Sequence, residues 1–515
     1  MSRRTAFLAA AVLSVLPLLA IPAHADGNLH NVKHIIIIMQ ENHSFDNYFG
    51  ALPYAPDGPY HSGPCAPNDH ACVDGLSCTV GSGGALNCSN SNVDDDGSTV
   101  YSFHNYDYCP APDLQHNWSG SHHEANWFDP SDTFFETLNN GFVLENDATE
   151  QIDSNLDPTE SATEDETMGF YNQDDLPFYY ALAQTFAIDD RYSCPVIGPT
   201  FANRSYEMAA TSFGHITTNE ISPPTGGYKP ITGTIFDLLS KYGVSWTNFY
   251  SDLPTSFIFS PQSYSNVALI SEFLKEAKDG TLPEVSFVDP SFYPDQVINS
   301  GLFETDEHPP FDIRAGEYRV WQLVSAVRNG PDWKNTIIFI TYDEHGGFYD
   351  HVTPPPARQG GALSPDGINP GQCEDLSNPP ASEQPGGGAQ CTISASDAAS
   401  ICPGFTATGP YPASCPNFNQ EGFRVPFIAV SPFSKPHYVS HTVADHTAML
   451  ALIEKRFFSL SGATSERPHL TARDLHAPTL EDLFDFDHSP SLNATFAQAP
   501  MPVAGEHDCP VLPLP

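Results

Sequence analysis

The sequence predicts an α/β fold built on a mostly parallel sheet flanked by helices, and two features of this 515-residue chain predict it. The first is a pair of apolar, β-branched runs that stop at polar residues. His34-Ile-Ile-Ile-Ile-Met39 runs into Gln40, Glu41, Asn42 and His43, and Thr336-Ile-Ile-Phe-Ile-Thr-Tyr342 runs into Asp343, Glu344 and His345. Unbroken apolar runs of this length suit strands buried on both faces. The second is an alternation of helix-like and strand-like segments: 235–242 then 244–249, 270–278 then 285–289, and 314–328 then 336–342. Strands spaced by helices make doubly wound parallel sheets, and such sheets bind ligands beyond the carboxyl ends of their strands. The polar residues at those ends are therefore the first candidates for a site.

Composition bounds what such a fold does. A chain that is 40% hydrophobic and 12% aromatic can pack a core, while 48 prolines and 36 glycines imply much irregular surface. The length allows one large core with insertions or two smaller ones. We favour a single catalytic domain over 26–490, with insertions at about 52–112 and 353–420 and a Pro-rich tail over 491–515. Arg3 and Arg4, an apolar run to about Ile21 and Ala23-His24-Ala25 form a signal peptide over 1–25, so the protein is expected to be secreted or periplasmic. The arginine pair also leaves a twin-arginine route open. No later stretch is apolar enough to span a bilayer. A formal charge of −43 argues against nucleic-acid binding and against electrostatic docking on anionic lipid. The 11 cysteines of an exported chain point to disulfides, their spacing lacks the paired CxxC of a structural zinc site, and the odd count leaves one thiol over.

Taken in order, the first strand gives way to the Pro-, Gly- and Cys-rich insertion. There Asn92, Asp94, Asp96 and Gly97 have calcium-loop spacing, but Phe103 stands where a bidentate Glu is needed, so a solvated acidic turn is the better reading. The stretch 113–126 holds His116, His122 and His123 with Asn117 and Trp118, either as a functional cluster or as a polar loop. Asp175 followed by Pro177 reads as a helix start that buries Leu182 and Phe186. Gly198-Pro199-Thr200 opens another helix, to about Thr211; Thr200 is either an ordinary cap or a hydroxyl held beside free backbone N–H groups that suit a phosphate oxygen. Between the later strands stands Asp306-Glu307-His308-Pro309. After the second motif, Gly346 and Gly347 would let the backbone approach a ligand. The fold resumes after the second insertion with a strand at 424–430 and a helix from 445 to 457.

Together, Glu41-Asn-His-Ser-Phe-Asp-Asn-Tyr-Phe-Gly50, the helix start at 175–183, Gly198-Pro-Thr-Phe-Ala-Asn-Arg204, Asp343-Glu-His-Gly-Gly-Phe-Tyr-Asp-His351 and Arg424-Val-Pro with Asp445-His-Thr447 carry a likeness. They resemble the bacterial and plant phosphoesterase family that includes phosphatidylcholine-type phospholipase C, non-specific phospholipase C and an acid phosphatase branch. The resemblance implies an alkaline-phosphatase-like core. By motif, Glu41, Asn42, Asp343 and Glu344 would hold a divalent metal ion of undetermined identity, with Thr200 as a further ligand and the nucleophile. His116, His122, His308 and His345 would bind phosphate oxygens, protonate the leaving group or activate water. The family usually has His where this chain has Tyr179. The chemistry agrees, because a threonine hydroxyl needs activation and metal coordination is one way to supply it. With only 20 Lys and Arg, a metal and protonated histidines would have to balance the phosphate. The expected activity is phospholipase C-type hydrolysis of a glycerophospholipid, with transient membrane-surface contact. A broad acid phosphatase at the same site is the alternative, followed by a phosphodiesterase for a small soluble phosphate ester. A non-catalytic binding protein is disfavoured, since none of Glu41, Asn42, Thr200, Asp343 and Glu344 is missing, and no GxSxG elbow supports a serine esterase.

Overall fold

The computed structural model describes residues 28–110, 113–126, 138–146, 164–218, 223, 226–259, 264–293, 295–298, 301–357, 364–374, 389–458 and 467–502. The expected signal peptide, parts of the second insertion and the end of the tail lie outside them. One eight-stranded sheet organises the chain. Its strands are β1 (His34–Gln40), β2 (Ala187–Asp189), β3 (Trp246–Tyr250), β4 (Val267–Leu269), β5 (Val285–Val288), β6 (Thr336–Tyr342), β7 (Phe427–Val430) and β8 (Tyr438–Ser440). Their order is β4-β3-β5-β1-β6-β7-β2-β8. Neighbours run parallel except where β7 pairs with β6 and β2. The fold is thus α/β and mostly parallel, as expected.

β1 and β6 are central, and apart from His34 every residue of both is buried, which is why each reads as a continuous apolar run rather than an alternation. They pair in phase, His34 opposite Thr336 and Gln40 opposite Tyr342, so both stop at the same level of the sheet. The helices are α1 (Phe45–Phe49), α2 (Trp118–Glu124), α3 (Pro177–Ala183), α4 (Thr200–Ala209), α5 (Ile235–Tyr242), α6 (Ile270–Asp279), α7 (Ile313–Asn329), α8 (Ala389–Ile401), α9 (Thr447–Phe457) and α10 (Ala472–His476). Sequence sets several of their ends. α5 starts at a capping box between Thr234 and Asp237 and stops at Gly243, whose φ of 69° a side chain would resist. Apolar side chains of α5, α6, α7 and α9 join those of the sheet in one continuous core.

Asp175 does not cap α3, which has Leu176 at that position. Its carboxylate instead accepts the Asn172 N–H at 2.8 Å and the Tyr108 hydroxyl at 3.1 Å and lies 2.6 Å from His104 Nε2, tying the first insertion to the helix start. That insertion is stapled by Cys65–Cys72 and Cys78–Cys88, and the second by Cys373–Cys391 and Cys402–Cys415. Cys194, buried, is the free thiol among the described residues. The acidic stretch after Asn92 is a hairpin turn whose Asp96 accepts the Ser98 N–H at 2.7 Å, in line with the solvated-turn reading.

A buried arginine locks the motif-bearing segments to one another. Arg424 donates to Asp350 at 2.9 and 3.0 Å, to Asp46 at 3.0 Å and to the carbonyls of Asp74 and Asp190 at 2.7 and 3.0 Å. Beside it His351 sits 2.6 Å from Asp46 and 3.3 Å from Asp74. Burial opposes its charge, but the two aspartates outweigh burial and push its pKa up to about 10. A histidine raised above its unfolded value of about 6.5 stabilises the fold fully below that pH, and the stabilisation is lost as pH rises toward the folded value. The thermal-midpoint gap between the wild type and His351→Gln should therefore be widest near pH 6 and close between pH 6.5 and 10, read by circular dichroism across that range. A gap that does not change with pH would show that the imidazolium contributes nothing.

Candidate active site

Because β1 and β6 end in phase, the residues that follow them meet. Asn42 adopts a left-handed backbone, φ 66°, and its N–H donates to Asp343 Oδ1 at 3.2 Å. The same oxygen accepts the Glu344 N–H at 2.8 Å. Glu41 is fixed from the other side, its N–H donating to the Asp306 carbonyl at 2.7 Å. Helix α4 delivers the third component. Arg204 lies four residues after Thr200, on the same helix face. Its Nε is 3.0 Å from Glu41 Oε1 and 3.4 Å from Asp343 Oδ2. That bond docks the start of α4 on both strand ends, and Thr200, its first residue, lines the same cavity as Glu41 and Arg204. The Asn203 side chain steadies the approach, donating to the Gly198 carbonyl at 2.7 Å and accepting the Val196 N–H at 2.9 Å.

The cavity measures about 680 Å³. One part of its wall is polar, with Glu41, Thr200, Arg204, Asp113, His116 and His308; the other is apolar, with Phe201, Leu253, Phe257, Phe292 and Phe311. Asp289, at the end of β5, holds part of the apolar wall in place, accepting the Thr255 N–H and hydroxyl, each at 2.8 Å.

The donor set fits an oxygen-seeking cation. The Asn42 side-chain amide presents one heavy atom 3.1 Å from Asp343 Oδ1 and 2.8 Å from Glu344 Oε1, and the other 2.8 Å from His308 Nε2. With nitrogen toward the carboxylates, the amide donates to both and accepts from His308. With oxygen toward them, the amide oxygen would lie beside two carboxylate oxygens, an oxygen-rich set of the kind that could hold a hard divalent cation. The second arrangement is repulsive unless a cation is present. Asp343 Oδ2 is buried without a hydrogen bond. Burial, and then the charge of Glu41, push the Asp343 carboxyl well above the usual range in spite of Arg204. Oxygens of carboxylate, amide and hydroxyl favour magnesium, calcium or manganese over softer metals.

Two of the four expected histidines stand on the cavity wall. His116 donates through Nδ1 to the Leu114 carbonyl at 2.7 Å, which leaves Nε2 4.0 Å from Glu344 Oε1. His308 donates through Nδ1 to the Pro309 carbonyl at 2.5 Å, and the two rings lie 5.5 Å apart. His122 and His345 are not placed on that wall. His122 is turned back along α2 to the Trp118 carbonyl at 2.6 Å, and burial pushes its pKa down to about 3. His345 is buried behind Glu344, 3.0 Å from it and 2.8 Å from Glu124, and these carboxylates outweigh burial to raise its pKa to about 9. It can hold Glu344 in place but does not face the cavity. The two glycines after it serve packing, not a ligand: a Cβ at Gly346, φ 64°, would lie 2.0 Å from the Asn42 carbonyl, and one at Gly347 2.5 Å from the Leu114 side chain.

Four residues outside the expected set belong to the site. Arg204 had a usable signal, being a basic residue one turn after Thr200 in a chain with few of them. Asp113 and Asp306 stood in polar clusters without an assigned role. Glu304, on the same wall, had no signal, and burial pushes its carboxyl up to about 8. Tyr179 points into the core and donates to Glu307 at 2.6 Å.

The chain matches the Phosphoesterase family over residues 32–459. It is 27% identical over 508 residues to "Phospholipase C B" of Mycobacterium tuberculosis, covering 90% of this chain and 80% of that one. To "Non-specific phospholipase C1" of Arabidopsis thaliana it is 27% identical over 479 residues, 89% of this chain and 72% of the relative. To "Non-hemolytic phospholipase C" of Pseudomonas aeruginosa it is 27% identical over 477 residues, 86% of this chain and 56% of the relative. Among solved structures it is similar to an alkaline phosphatase superfamily protein of Vibrio parahaemolyticus, with 11% identity, TM-score 0.31, and 59% and 64% of the two chains covered. Murine ectonucleotide pyrophosphatase / phosphodiesterase 5 gives 9% identity, TM-score 0.33, and 60% and 95% covered. At such TM-scores the description of the fold rests on the sheet itself.

Proposed function

The chain belongs to the phosphoesterase family and is a hydrolase of phosphoric ester bonds, and we propose that it is a phospholipase C-type enzyme cleaving a glycerophospholipid on the glycerol side of its phosphate. The observation that carries the proposal is the docking of α4 by Arg204 on Glu41 and Asp343, with Thr200, the first residue of that helix, on the wall of the same cavity as Glu41 and Arg204. When bound, that cation supplies Lewis-acid polarisation and favours the alkoxide form of a nearby hydroxyl. Glu41, Asn42, Asp343 and Glu344 would hold it. Thr200 Oγ1 attacks phosphorus, and the P–O bond to glycerol breaks. The glycerol oxygen takes a proton from His116 Nε2, which faces the cavity while Nδ1 is tied to a carbonyl. Water then releases the phosphoryl group from Thr200, with His116 accepting its proton. Arg204 offsets the carboxylates beneath.

Three further observations support a lipid diester. Relatives covering most of this chain are named phospholipase C. The apolar wall, with Phe201, Leu253, Phe257, Phe292 and Phe311, offers a surface for glycerol and the roots of acyl chains. The polar wall also carries Asp113 and Glu41, so a dianionic monoester meets more repulsion there than a monoanionic diester. This weighs against the acid phosphatase alternative. Leu253 and Tyr293, 39% and 54% exposed on the cavity wall, are suited to brief contact with a lipid surface. No helix among the described residues is long and apolar enough to cross a membrane. The disulfides among the described residues and the signal-like residues 1–25 support export. The continuous core supports one catalytic domain over 26–490 carrying both insertions, and the described part of the Pro-rich tail packs onto that core through Phe496 and Ala499.

Thr200→Ala should lower turnover of p-nitrophenyl phosphorylcholine and phosphatidylcholine by about a thousandfold or more while bound metal is retained; unchanged turnover removes Thr200 from the mechanism. Turnover of p-nitrophenyl phosphate, followed beside these at several pH values, should be the slower reaction, and activity on that monoester alone refutes the phospholipase reading. Chelator-treated protein should lose turnover and regain it with one divalent cation, and Asp343→Asn should lower the metal content read by elemental analysis. Full activity in protein shown to be metal-free overturns the cation.

A further inference from the structure

His116 keeps its Nδ1 on the Leu114 carbonyl at 2.7 Å, and the direction of that carbonyl is set from a distant segment. The same peptide group carries the Gln115 N–H, which donates to Asn146 Oδ1 at 2.8 Å. A trans peptide is planar, with its N–H and C=O pointing in opposite directions, so an acceptor held at one end fixes the carbonyl at the other. Asn146 is 1% exposed, and its orientation is determined by its neighbours. Its Nδ2 donates to Glu124 Oε1 at 3.1 Å and to the Phe142 carbonyl at 2.9 Å, which leaves Oδ1 to face Gln115. Glu124 is buried in α2, with its Oε2 2.8 Å from His345 Nε2. The helical stretch 142–146 is anchored in turn: the Phe142 N–H donates to Asn92 Oδ1 at 3.0 Å and the Gly141 N–H to the Glu124 carbonyl at 3.0 Å. None of Asn146, Glu124 and Asn92 lines the cavity.

We propose that Asn146 is a positioning residue for His116, acting through the Leu114–Gln115 peptide. With the carbonyl aimed at Nδ1, the ring donates there and presents Nε2 to the cavity, the nitrogen from which the departing glycerol oxygen takes its proton in the reaction proposed above. Nδ1 keeps its hydrogen throughout. Without the Asn146 acceptor, the Gln115 N–H is left unpaired, and the peptide turns toward another acceptor or water. The carbonyl then swings off Nδ1, and the ring loses the tie that holds Nε2 toward the substrate. A small misplacement of a proton donor is costly in a step that needs the proton and nearly neutral in one that does not.

The inference rests on the proton-donor role proposed for His116 and is tested by varying the leaving group. The ratio kcat/KM reports the steps up to departure of that group; p-nitrophenolate departs without a proton, whereas a glycerol oxygen needs one. It is measured with p-nitrophenyl phosphorylcholine and with monomeric dihexanoyl phosphatidylcholine. Asn146→Ala should lower the value for the glycerol ester by about ten- to hundredfold and change that for the nitrophenyl ester by no more than about twofold. Asn146→Asp retains an accepting oxygen and should keep the wild-type ratio of the two esters even where it lowers the thermal midpoint, and it carries the test if the alanine variant does not fold. Tyr180→Phe is the control: it removes a buried hydrogen bond, donated to the Tyr171 carbonyl at 3.1 Å, and should also keep the ratio. His116→Ala is the reference and should show the selective loss more strongly. Equal losses on both esters in Asn146→Ala, a skewed ratio in Asn146→Asp or the same skew in Tyr180→Phe overturns the positioning role. If Asn146→Ala spares the glycerol ester and His116→Ala does not, the positioning role falls and the proposed reaction stands. If His116→Ala spares it too, the proton-donor role falls and takes the positioning role with it.

Discussion

The in-phase pairing of β1 with β6 is the constraint on which the rest of the site depends. Side chains on a strand alternate between faces, so a slip of one residue would put Glu41 and Asp343 on opposite sides of the sheet. With Gln40 opposite Tyr342, the chain leaves both strands at one level, and the Asn42 N–H bond to Asp343 Oδ1 carries the pairing one step past the last ladder pair. The pairing also gathers negative charge. Glu41, Asp343 and Glu344 are buried together, which costs several kcal/mol for each ion unless opposite charge and hydrogen bonds compensate. Arg204 provides part of that compensation and His345, behind Glu344, another part. Neither reaches the face where the Asn42 amide meets the two carboxylates. There the structure leaves two options, an amide nitrogen turned inward or a cation, and the proposed function uses the second.

How much of this was legible in the sequence follows from how local each signal is. β1 and β6 were readable because burial on both faces writes itself as an unbroken apolar run, and α5, α6 and α7 because their caps and periodicity lie within the segment. β2, β4 and β8 are three residues each, too short for any period to show. The reversed direction of β7 has no sequence signature, since a buried strand looks the same whichever way its neighbours run. Within the site, Glu41, Asn42, Thr200, Asp343, Glu344, His116 and His308 were identifiable by type and position. His122 and His345 lay in the right motifs and face elsewhere, because a motif fixes the path of the backbone but not which side chain turns to the cavity. Helix geometry sends the His122 ring back to the carbonyl four residues earlier, and the pair of carboxylates on either side of His345 keeps it inside. The glycines of the second motif misled for a related reason: a left-handed turn signals close approach, and what approaches here is the Asn42 backbone. Glu124 could not be found, as it matters through its contact with His345, far away in sequence.

The scarcity of basic residues links the architecture to the chemistry. A chain with 20 Lys and Arg against 63 Asp and Glu places three arginines, Arg204, Arg424 and Arg473, among its most deeply buried side chains. Two of them join carboxylates from separate segments, Glu41 and Asp343 for Arg204 and Asp46 and Asp350 for Arg424, and Arg473 lies 3.5 Å from Asp445. These guanidiniums hold the frame together, and an always-charged fork suits the task because it satisfies several acceptors at once. They are correspondingly unavailable to a phosphate. What faces the cavity besides Arg204 is carboxylate, hydroxyl and imidazole, a wall that by itself repels an anion. The oxygen cluster at the ends of β1 and β6 is where the proposed cation would add positive charge for a phosphate ester. The proposed cation and diester answer the same shortage: the first would make an acidic wall usable, and the second, with a single negative charge, asks least of it.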